Sequence, residues 1–344
     1  MLKMGVVGKI PPKLLEKLVF TKLGSSDPAV IVGPAVGEDA AVIDLGRGVA
    51  LVVHNDAITG ASKLLGWLAV HIVANDVATR GAKPRWFLMS LFLPDTGGEE
   101  LLAEIMLQVD AAAKELGMMV VGGHTETTPG LDRPIVGTTA IGVAPLSRVV
   151  TTRGARVGDY LILTKAAGIE GTAILCTDFA SELEKRGVPK DVIERGARFV
   201  ERVSVVPEAL ALAERGLTTA MHDPTEGGVL GGAAELAYAS GTTVELWADR
   251  VPVLEETKLA ANVMGVDVLR LISSGALLAA VPPDKVGEAL QAVKLAGVEA
   301  AVVGRIKEQS GCLVELVKGG KVERVEDVHV VDELFLLWER VYGA

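Results

Sequence analysis

Several residue types that mark common protein classes are scarce in this sequence. Only two cysteines, Cys176 and Cys312, occur in 344 residues, and they provide neither a disulfide framework nor a C-x-x-C metal signature. Aromatic residues make up only 4% of the chain, so the core must be mainly aliphatic. No apolar run is long enough for a transmembrane helix, and no secretory signal pattern begins the chain. These absences favour a cytoplasmic protein in a reducing compartment, without a membrane as partner.

Positive charge is also in short supply. The 34 lysine and arginine residues are outnumbered by 44 aspartate and glutamate residues, which gives a net charge of −10. No basic cluster offsets this excess, so the sequence argues against nucleic acid as a partner. Asparagine and glutamine occur three times each among many Glu, Lys and Arg residues, and this composition favours a thermophilic source.

Apolar residues, in contrast, are abundant. They make up 49% of the chain and the mean hydropathy is +0.39, so a large core can form. The chain length suggests two domains. Polar residues, glycine and proline gather at residues 144–158, and we therefore predict one domain at 1–149 and a second at 150–344.

Both halves alternate between strand and helix patterns. In the first half we predict strands at 40–45, 49–53, 86–93, 118–121 and 134–143, and helices at 11–23, 62–80 and 99–116. In the second half we predict strands at 160–164, 242–246, 276–281, 300–303 and 313–317, and helices at 192–203, 207–215, 228–239, 285–295 and 331–341. Mixed elements in both halves indicate two α/β or α+β domains.

Four carboxylates stand at the edges of apolar segments within the first 126 residues. They are Asp39 in Gly37–Val42, Asp56 after Asn55, Asp76 after Asn75, and Glu126 at the end of Gly122–Glu126. Hard cations such as Mg²⁺ take oxygen ligands and bridge a few carboxylates to phosphate oxygens. A cluster of these side chains could therefore bind a triphosphate through a metal ion.

Each carboxylate also has a purely structural explanation. Asp39 could be a turn residue before a strand, and Asn55 with Asp56 could be a turn signal at the end of one. Asn75 and Asp76 fall inside an apolar helix pattern, where a polar pair is costly unless it is satisfied or faces solvent. Taken singly, these motifs leave both explanations open.

Two glycine-containing segments in the second half could bind an anion. Gly168–Gly171 and Met221–Gly228 each precede an apolar segment, and a helix that begins after such a loop presents free backbone N–H groups. The alternatives are a plain turn at the first segment and an ordinary helix start capped by Thr225 at the second. An isolated histidine such as His124 is likewise more often packed or exposed than catalytic.

Five of these motifs follow one another along the chain: Gly37–Val42, Asn55-Asp56, Asn75–Gly81, Gly122–Glu126 and Asp223–Gly228. Their order and spacing resemble those of the aminoimidazole-ribonucleotide synthetase (PurM-like) superfamily. The resemblance is strongest to the hydrogenase-maturation HypE branch and covers nearly the whole chain. It implies a two-domain PurM-like fold, with an N-terminal mixed-sheet domain that forms a homodimer and a C-terminal α/β domain. It also implies binding of ATP with Mg²⁺ and often K⁺.

The resemblance assigns roles to individual residues. Metal ligands would be Asp39, Asp56, Asp76 and Glu126. Nucleotide contacts would come from Asn75, Gly122, Gly123, Gly168, Gly171, Thr225, Gly227 and Gly228. Substrate contact or proton transfer would fall to His222, Asp223 and His124, because histidine titrates near neutral pH.

The sequence departs from the HypE pattern at three places. His222 and Glu226 stand where two arginines are usual, so two positive groups are lost and one negative group is gained. Ser273-Ser274-Gly275 replaces Asn-Glu-Gly, and no cysteine follows Cys312 to carry the HypE product. We therefore expect ATP-dependent phosphoryl activation of a small substrate or a partner's group. The alternative is a nucleotide-binding assembly or regulatory partner in hydrogenase-type maturation that does not turn ATP over.

Overall fold

The first half of the chain builds one mixed sheet with helices beside it. The structure is a computed structural model that describes residues 8–58 and 63–342. Its first half contains α1 (Pro12–Leu18), β1 (Val30–Val32), β2 (Ala41–Asp44), β3 (Val49–Ile58), α2 (Leu65–Thr79), β4 (Lys83–Leu93), α3 (Gly98–Leu116), β5 (Met119–Thr127) and β6 (Ile135–Pro145). The six strands lie in the order β1-β2-β3-β6-β4-β5, and only the β4–β5 pair is parallel. β5 is therefore an edge strand.

The second half builds a seven-stranded mixed sheet. Its elements are β7 (Tyr160–Thr164), α4 (Ile169–Thr177), α5 (Ala180–Lys185), α6 (Lys190–Ala197), α7 (Val206–Glu214), β8 (Ala220–His222), α8 (Gly228–Ser240), β9 (Thr243–Trp247), α9 (Glu255–Met264), β10 (Leu278–Val281), α10 (Val286–Leu295), β11 (Ala300–Lys307), β12 (Val314–Lys318), β13 (Lys321–Val325) and α11 (Glu333–Tyr342). The order is β13-β12-β9-β11-β7-β10-β8, with β12 and β9 parallel. No helix in these described ranges is both long and apolar enough to cross a membrane.

α2 is the central helix of the molecule. All but one of its fifteen residues are buried, which explains why its sequence is apolar on every face rather than on one stripe. It packs against β3 and β6 of its own sheet and against α7 of the second half. One continuous apolar cluster consequently includes Val73 of α2 together with Ala209 and Leu212 of α7. The two halves are thus joined by a shared core.

The predicted elements differ from the observed ones mainly where strands are short or carry polar residues. The pattern missed β1, β8 and β13 and the helices α4, α5 and α9. β3 was predicted to end at Val53 and β5 at Val121, but they continue to Ile58 and Thr127. Ser62, the predicted start of α2, lies outside the described residues.

Candidate metal and nucleotide site

A cavity of about 460 Å³ lies between the two halves. The first half contributes the loop before β2, together with residues of β3 and α2. The second half contributes the loop between β8 and α8. The terminal segments contribute Lys9 and Phe335. The cavity wall is strongly acidic, and most of the predicted carboxylates face it.

Three aspartates converge on one side of this cavity. Asp39 lies just before β2, Asp76 lies within α2, and Asp223 directly follows β8. Each offers a carboxylate oxygen, and these oxygens all lie within 4.8 Å of one another. All three residues are buried. A shell of carboxylate oxygens at this spacing matches what a hard divalent cation requires.

The Asp39 carboxylate is held by two cationic groups. Nη2 of Arg80 donates to Oδ2 of Asp39 at 2.8 Å, and Nδ1 of His222 bonds to Oδ1. Nη1 of Arg80 also pairs with Glu38. Burial alone would raise the pKa of Asp39, but His222 and Arg80 outweigh burial and lower it. Asp39 is therefore ionised in the folded protein.

His222 lies between two carboxylates. Its Nδ1 faces Asp39, and its Nε2 lies 2.9 Å from Oε2 of Glu235, whose other oxygen accepts from Lys9 at 2.7 Å. Burial alone would lower the pKa of His222, but the two carboxylates raise it to about 10. His222 is thus a fixed cation. The positive charge that the sequence comparison expected to be lost at this position is therefore restored by His222, and its predicted role in substrate contact or proton transfer stays a prediction.

Asp76 and Asp223 are not compensated in this way. Burial and the neighbouring carboxylates raise the pKa of both groups. Neither side-chain oxygen of Asp223 accepts a hydrogen bond from a basic, amide or hydroxyl group among the described residues, and the side chain it interacts with is the carboxyl of Asp76. A buried carboxyl without partners is costly, and a divalent cation would relieve that cost directly. Asp223, predicted to contact substrate, lies with the candidate metal ligands instead.

Asp56 lines the same cavity but stands apart from the group of three. It lies inside β3 rather than beyond its end, which corrects the predicted position. Burial and the nearby Glu226 raise the pKa of Asp56 to about 6. Its neighbour on the strand, His54, places Nε2 3.4 Å from Oδ2 of Asp76.

Glu126 and His124 do not reach this cavity within one chain. Both lie within β5, not after it, and are exposed. The Glu126 carboxylate bonds to Nε2 of His124 at 3.1 Å and to Thr128 at 3.0 Å. Gly122 and Gly123 lie in the same strand, and a Cβ at Gly123 would lie 2.1 Å from the Met89 carbonyl oxygen. That glycine permits close strand pairing, and neither glycine lines the cavity.

The second-half glycines are packed against protein atoms. A Cβ on Gly171 would lie 2.4 Å from the Leu271 side chain, and one on Gly168 would touch Thr257. Packing therefore explains why both positions are glycine; neither lines the cavity, and their predicted nucleotide contact stays a prediction.

The start of α8 is already occupied by a protein carboxylate. Gly227, not Thr225, caps the helix, and its N–H donates to Oδ2 of Asp332 at 2.7 Å. A Cβ on Gly228 would lie 2.6 Å from the Leu271 carbonyl oxygen and 2.7 Å from that of Leu269. The predicted anion site at this helix start is therefore not free, whereas Thr225 does line the cavity.

Asn75 has a structural role in place of the predicted phosphate contact. It is fully buried, and its Nδ2 donates to the Val203 carbonyl at 2.8 Å. Its Oδ1 accepts from the Val205 N–H at 2.8 Å. Both amide atoms thus join α2 to the chain before α7.

The sequence interpretation missed several residues at this cavity. Arg80, Lys9, Arg133 and Glu235 hold or line its acidic wall. A signal did exist for Arg80, since a charged residue that ends an apolar helix is costly unless it is paired. Lys9 and Arg133 lie in irregular segments, where the pattern carries no comparable signal.

Comparisons with known proteins agree on the family of the chain. Residues 37–144 match AIR synthase related proteins in their N-terminal domain, and residues 156–316 match their C-terminal domain. A Methanocaldococcus jannaschii protein, assigned provisionally to hydrogenase expression and formation, is 25% identical over 96% of this chain and 97% of its own length. The carbamoyl dehydratase HypE of Azotobacter vinelandii is 31% identical over 70% of this chain and 69% of its own. A selenide, water dikinase of Geobacter metallireducens is 32% identical over 73% and 71%.

Solved structures share the fold. HypE in its complex with HypF aligns with a TM-score of 0.71 at 25% identity, covering 91% of this chain and 99% of that one. HypE in complex with ATP gives 0.71 at 22% identity, with coverages of 95% and 97%. The predicted two-domain PurM-like fold is confirmed.

Proposed function

Because this chain belongs to the AIR synthase related protein family, we propose that it binds ATP through a divalent metal ion and activates a small acceptor by phosphoryl transfer. The observation that carries this proposal is the group of three buried aspartates, Asp39, Asp76 and Asp223. The unpartnered oxygens of Asp223 are the strongest sign that a cation belongs there.

The cavity offers positive groups for the phosphates beside these ligands. Arg133 and Lys9 both line it, and Arg133 is exposed and able to approach a bound nucleotide. An acidic cavity would repel a bare triphosphate, so nucleotide binding should depend on the metal. When bound, Mg²⁺ would neutralise charge on the phosphate oxygens, which is the main electrostatic contribution in phosphoryl transfer. The protein would position the nucleotide and the acceptor.

We also propose that a second copy of the chain covers β5. Among the strands of the described residues, β5 pairs with β4 alone, and Met119, Val120 and Val121 are exposed on it. An exposed apolar edge is a ready surface for association. In such a dimer, Glu126 of one copy could act as a metal ligand only at the cavity of the other copy.

A second candidate function is a nucleotide-dependent assembly partner. The similarity to HypE in its complex with HypF favours this alternative, because that relative binds another protein. The two candidates differ in turnover. An assembly partner would hold ATP without releasing phosphate, whereas an activating enzyme would release phosphate when its acceptor is supplied.

Calorimetry with ATP, in the presence and absence of Mg²⁺, tests the proposal. We expect Mg²⁺ to raise the affinity for ATP by more than about tenfold, or ~1.4 kcal/mol. Asp76→Asn should remove that gain, while Asp284→Asn on the exposed surface should keep it. Equal ATP affinity with and without Mg²⁺ would reject the metal site. Phosphate release measured with a panel of acceptors then separates the two candidate functions.

A further inference from the structure

A second, smaller cavity of about 50 Å³ adjoins the nucleotide cavity. The two share a wall formed by Asp56, Ala57, Thr225, Glu226 and Phe335. Glu226 and Ser274, two residues at which the sequence departs from the HypE pattern, both line the smaller cavity. A group bound in it would therefore lie beside the bound nucleotide.

Two buried polar groups at this cavity lack partners. Glu170, in the first turn of α4, is 5% exposed, and its Oε2 has no hydrogen-bond partner within the described ranges. Ser274 is 0% exposed, and its Oγ makes no hydrogen bond of ordinary geometry there, although it lies close enough to the Glu170 carboxyl to lower the pKa of that group. The Glu170 N–H donates to the Ser274 carbonyl at 3.2 Å, which fixes the two residues side by side. Such groups cost free energy unless a ligand satisfies them.

The remaining wall is apolar and negatively charged. Ile58, Ile72, Ile174, Ile272 and Leu334 supply its apolar part. Asp56 and Glu226 add carboxylates, and no lysine, arginine or histidine from the described residues lines it. Burial raises the pKa of Glu170 to about 8: it outweighs the Ser274 hydroxyl, which lowers the pKa, and repulsion from Glu226, Asp332 and Asp56 adds to it. The Glu170 carboxyl is thus mostly protonated when no counter-charge is present.

These features select among ligand classes. An anion is repelled by the carboxylates of Asp56 and Glu226, and an alkyl group leaves the polar atoms of Glu170 and Ser274 unsatisfied. An ammonium group donates three hydrogen bonds and supplies the missing positive charge. The volume suits an ammonium with one or two carbons, since a water molecule occupies about 30 Å³ in the liquid.

We propose that the smaller cavity binds a primary ammonium group of the acceptor, with Glu170 as its counter-ion and Ser274 as a hydrogen-bond acceptor. The inference rests on the proposed function, because it identifies the chemistry of the acceptor at the same site. The Glu170 proton leaves to solvent as the ammonium enters. Asp56 and Glu226 favour the same charge from the shared wall.

Probe binding without ATP tests this inference. Ethylamine, ethanol and acetate fit this size and differ in charge, and ligand-observed NMR titration measures their affinities. We expect ethylamine to bind at least about tenfold more tightly than ethanol, and acetate to bind weakest. Glu170→Gln keeps the shape and should abolish the preference for the amine. Ser274→Ala should weaken amine binding less, and Glu288→Gln on exposed α10 should change nothing.

The controls separate this inference from the proposed function. Affinity for ATP with Mg²⁺ is measured on the same variants, and Glu170→Gln should retain it, which also verifies folding. Retained ATP binding with equal affinity for ethylamine and ethanol would overturn only the ammonium site. An amine preference that survives in Glu170→Gln would overturn it as well. If the unmodified protein shows no metal-dependent ATP binding, the proposed function is rejected. The affinities for the amine and the alcohol can still be compared, so the ammonium site is tested separately.

Discussion

Arg80 donates a 2.8 Å hydrogen bond from Nη2 to Oδ2 of Asp39, and neither group is accessible to bulk solvent. The same guanidinium also bonds to Thr152 and to the Met221 carbonyl. Arg80 therefore links the end of α2 to Asp39, to Thr152 and to strand β8, which directly precedes Asp223. Asp39 stays ionised because of this contact and that of His222, while Asp76 and Asp223 have no such support.

Arg80→Met should strongly destabilise the protein. The substitution keeps an apolar stem but leaves Glu38 and Asp39 without their buried partner. Removing one member of a buried pair costs about 3–5 kcal/mol. Urea denaturation measures the free energy of unfolding. Arg148→Met breaks only a partly exposed pair with Glu214 and should cost at most about 1 kcal/mol. Similar losses in both variants would contradict the role of Arg80.

Asp223→Asn should stabilise the metal-free protein and abolish its stabilisation by Mg²⁺. The neutral amide removes a buried, unpartnered carboxyl from beside Asp39 and Asp76. Thermal unfolding in a chelator and then with Mg²⁺ measures both effects. Asp284→Asn serves as the exposed control. A variant that still gains stability from Mg²⁺ would show that the cation binds elsewhere.

The metal-free protein should become more stable as the pH falls from about 9 to about 6.5. His222, with its pKa raised to about 10, contributes stability that is complete below its ordinary pKa of 6.5 and is lost as the pH rises through 10. Burial raises the pKa of Glu170 to about 8 and of Asp332 to about 7, so ionising them at higher pH costs stability. Below 6.5, His54 and His71 oppose the trend because burial lowers the pKa of each to about 4.

Urea denaturation in a chelator at several pH values measures this slope. Glu170→Gln removes one of the titrating groups, so its slope between about pH 9 and 6.5 should be smaller than that of the unmodified protein. An equal slope would show that Glu170 does not titrate in this range.

Val121→Lys should convert the proposed dimer into a monomer. Val121 is 47% exposed on the edge strand β5, and a lysine there would bring two like charges into a symmetric contact. Sedimentation velocity gives the mass relative to the 35.9 kDa chain. Leu107→Lys, at a 70% exposed site on α3, should leave the dimer intact. A monomeric unmodified protein would remove the dimer proposal altogether.

The sequence predicted the major strands and helices well because their periodic apolar patterns are strong. It misjudged polar residues that are satisfied inside an element. Asn55 signals a turn, yet β3 continues past it, because Nδ2 of Asn55 bonds to the Thr138 carbonyl at 2.7 Å and to Thr139 Oγ1 at 2.8 Å. Gly122 and Gly123 likewise suggest the end of a strand, but Gly123 permits close pairing with β4.

The types of residue that form the site could be predicted from the sequence, but the role of each residue could not. Asp39 and Asp76 were identified from their motifs, and the structure brings them together with Asp223. Whether a histidine transfers protons or holds a charge depends on its neighbours. Glu235 lies 13 residues after His222, and Lys9 lies at the other end of the chain. Contacts between residues so far apart in the chain produce no periodic pattern in a single sequence, so they could not be predicted from it.

The position of Asn75 has a mechanical consequence. Because its amide fastens α2 to Val203 and Val205, the two halves cannot hinge about the floor of the cleft without breaking two buried hydrogen bonds. We therefore expect a bound nucleotide to be enclosed by the segments that carry Lys9 and Phe335, and not by a rotation of one half against the other. The ligand would then be covered by these two segments, while α2 at the floor of the cleft keeps its position.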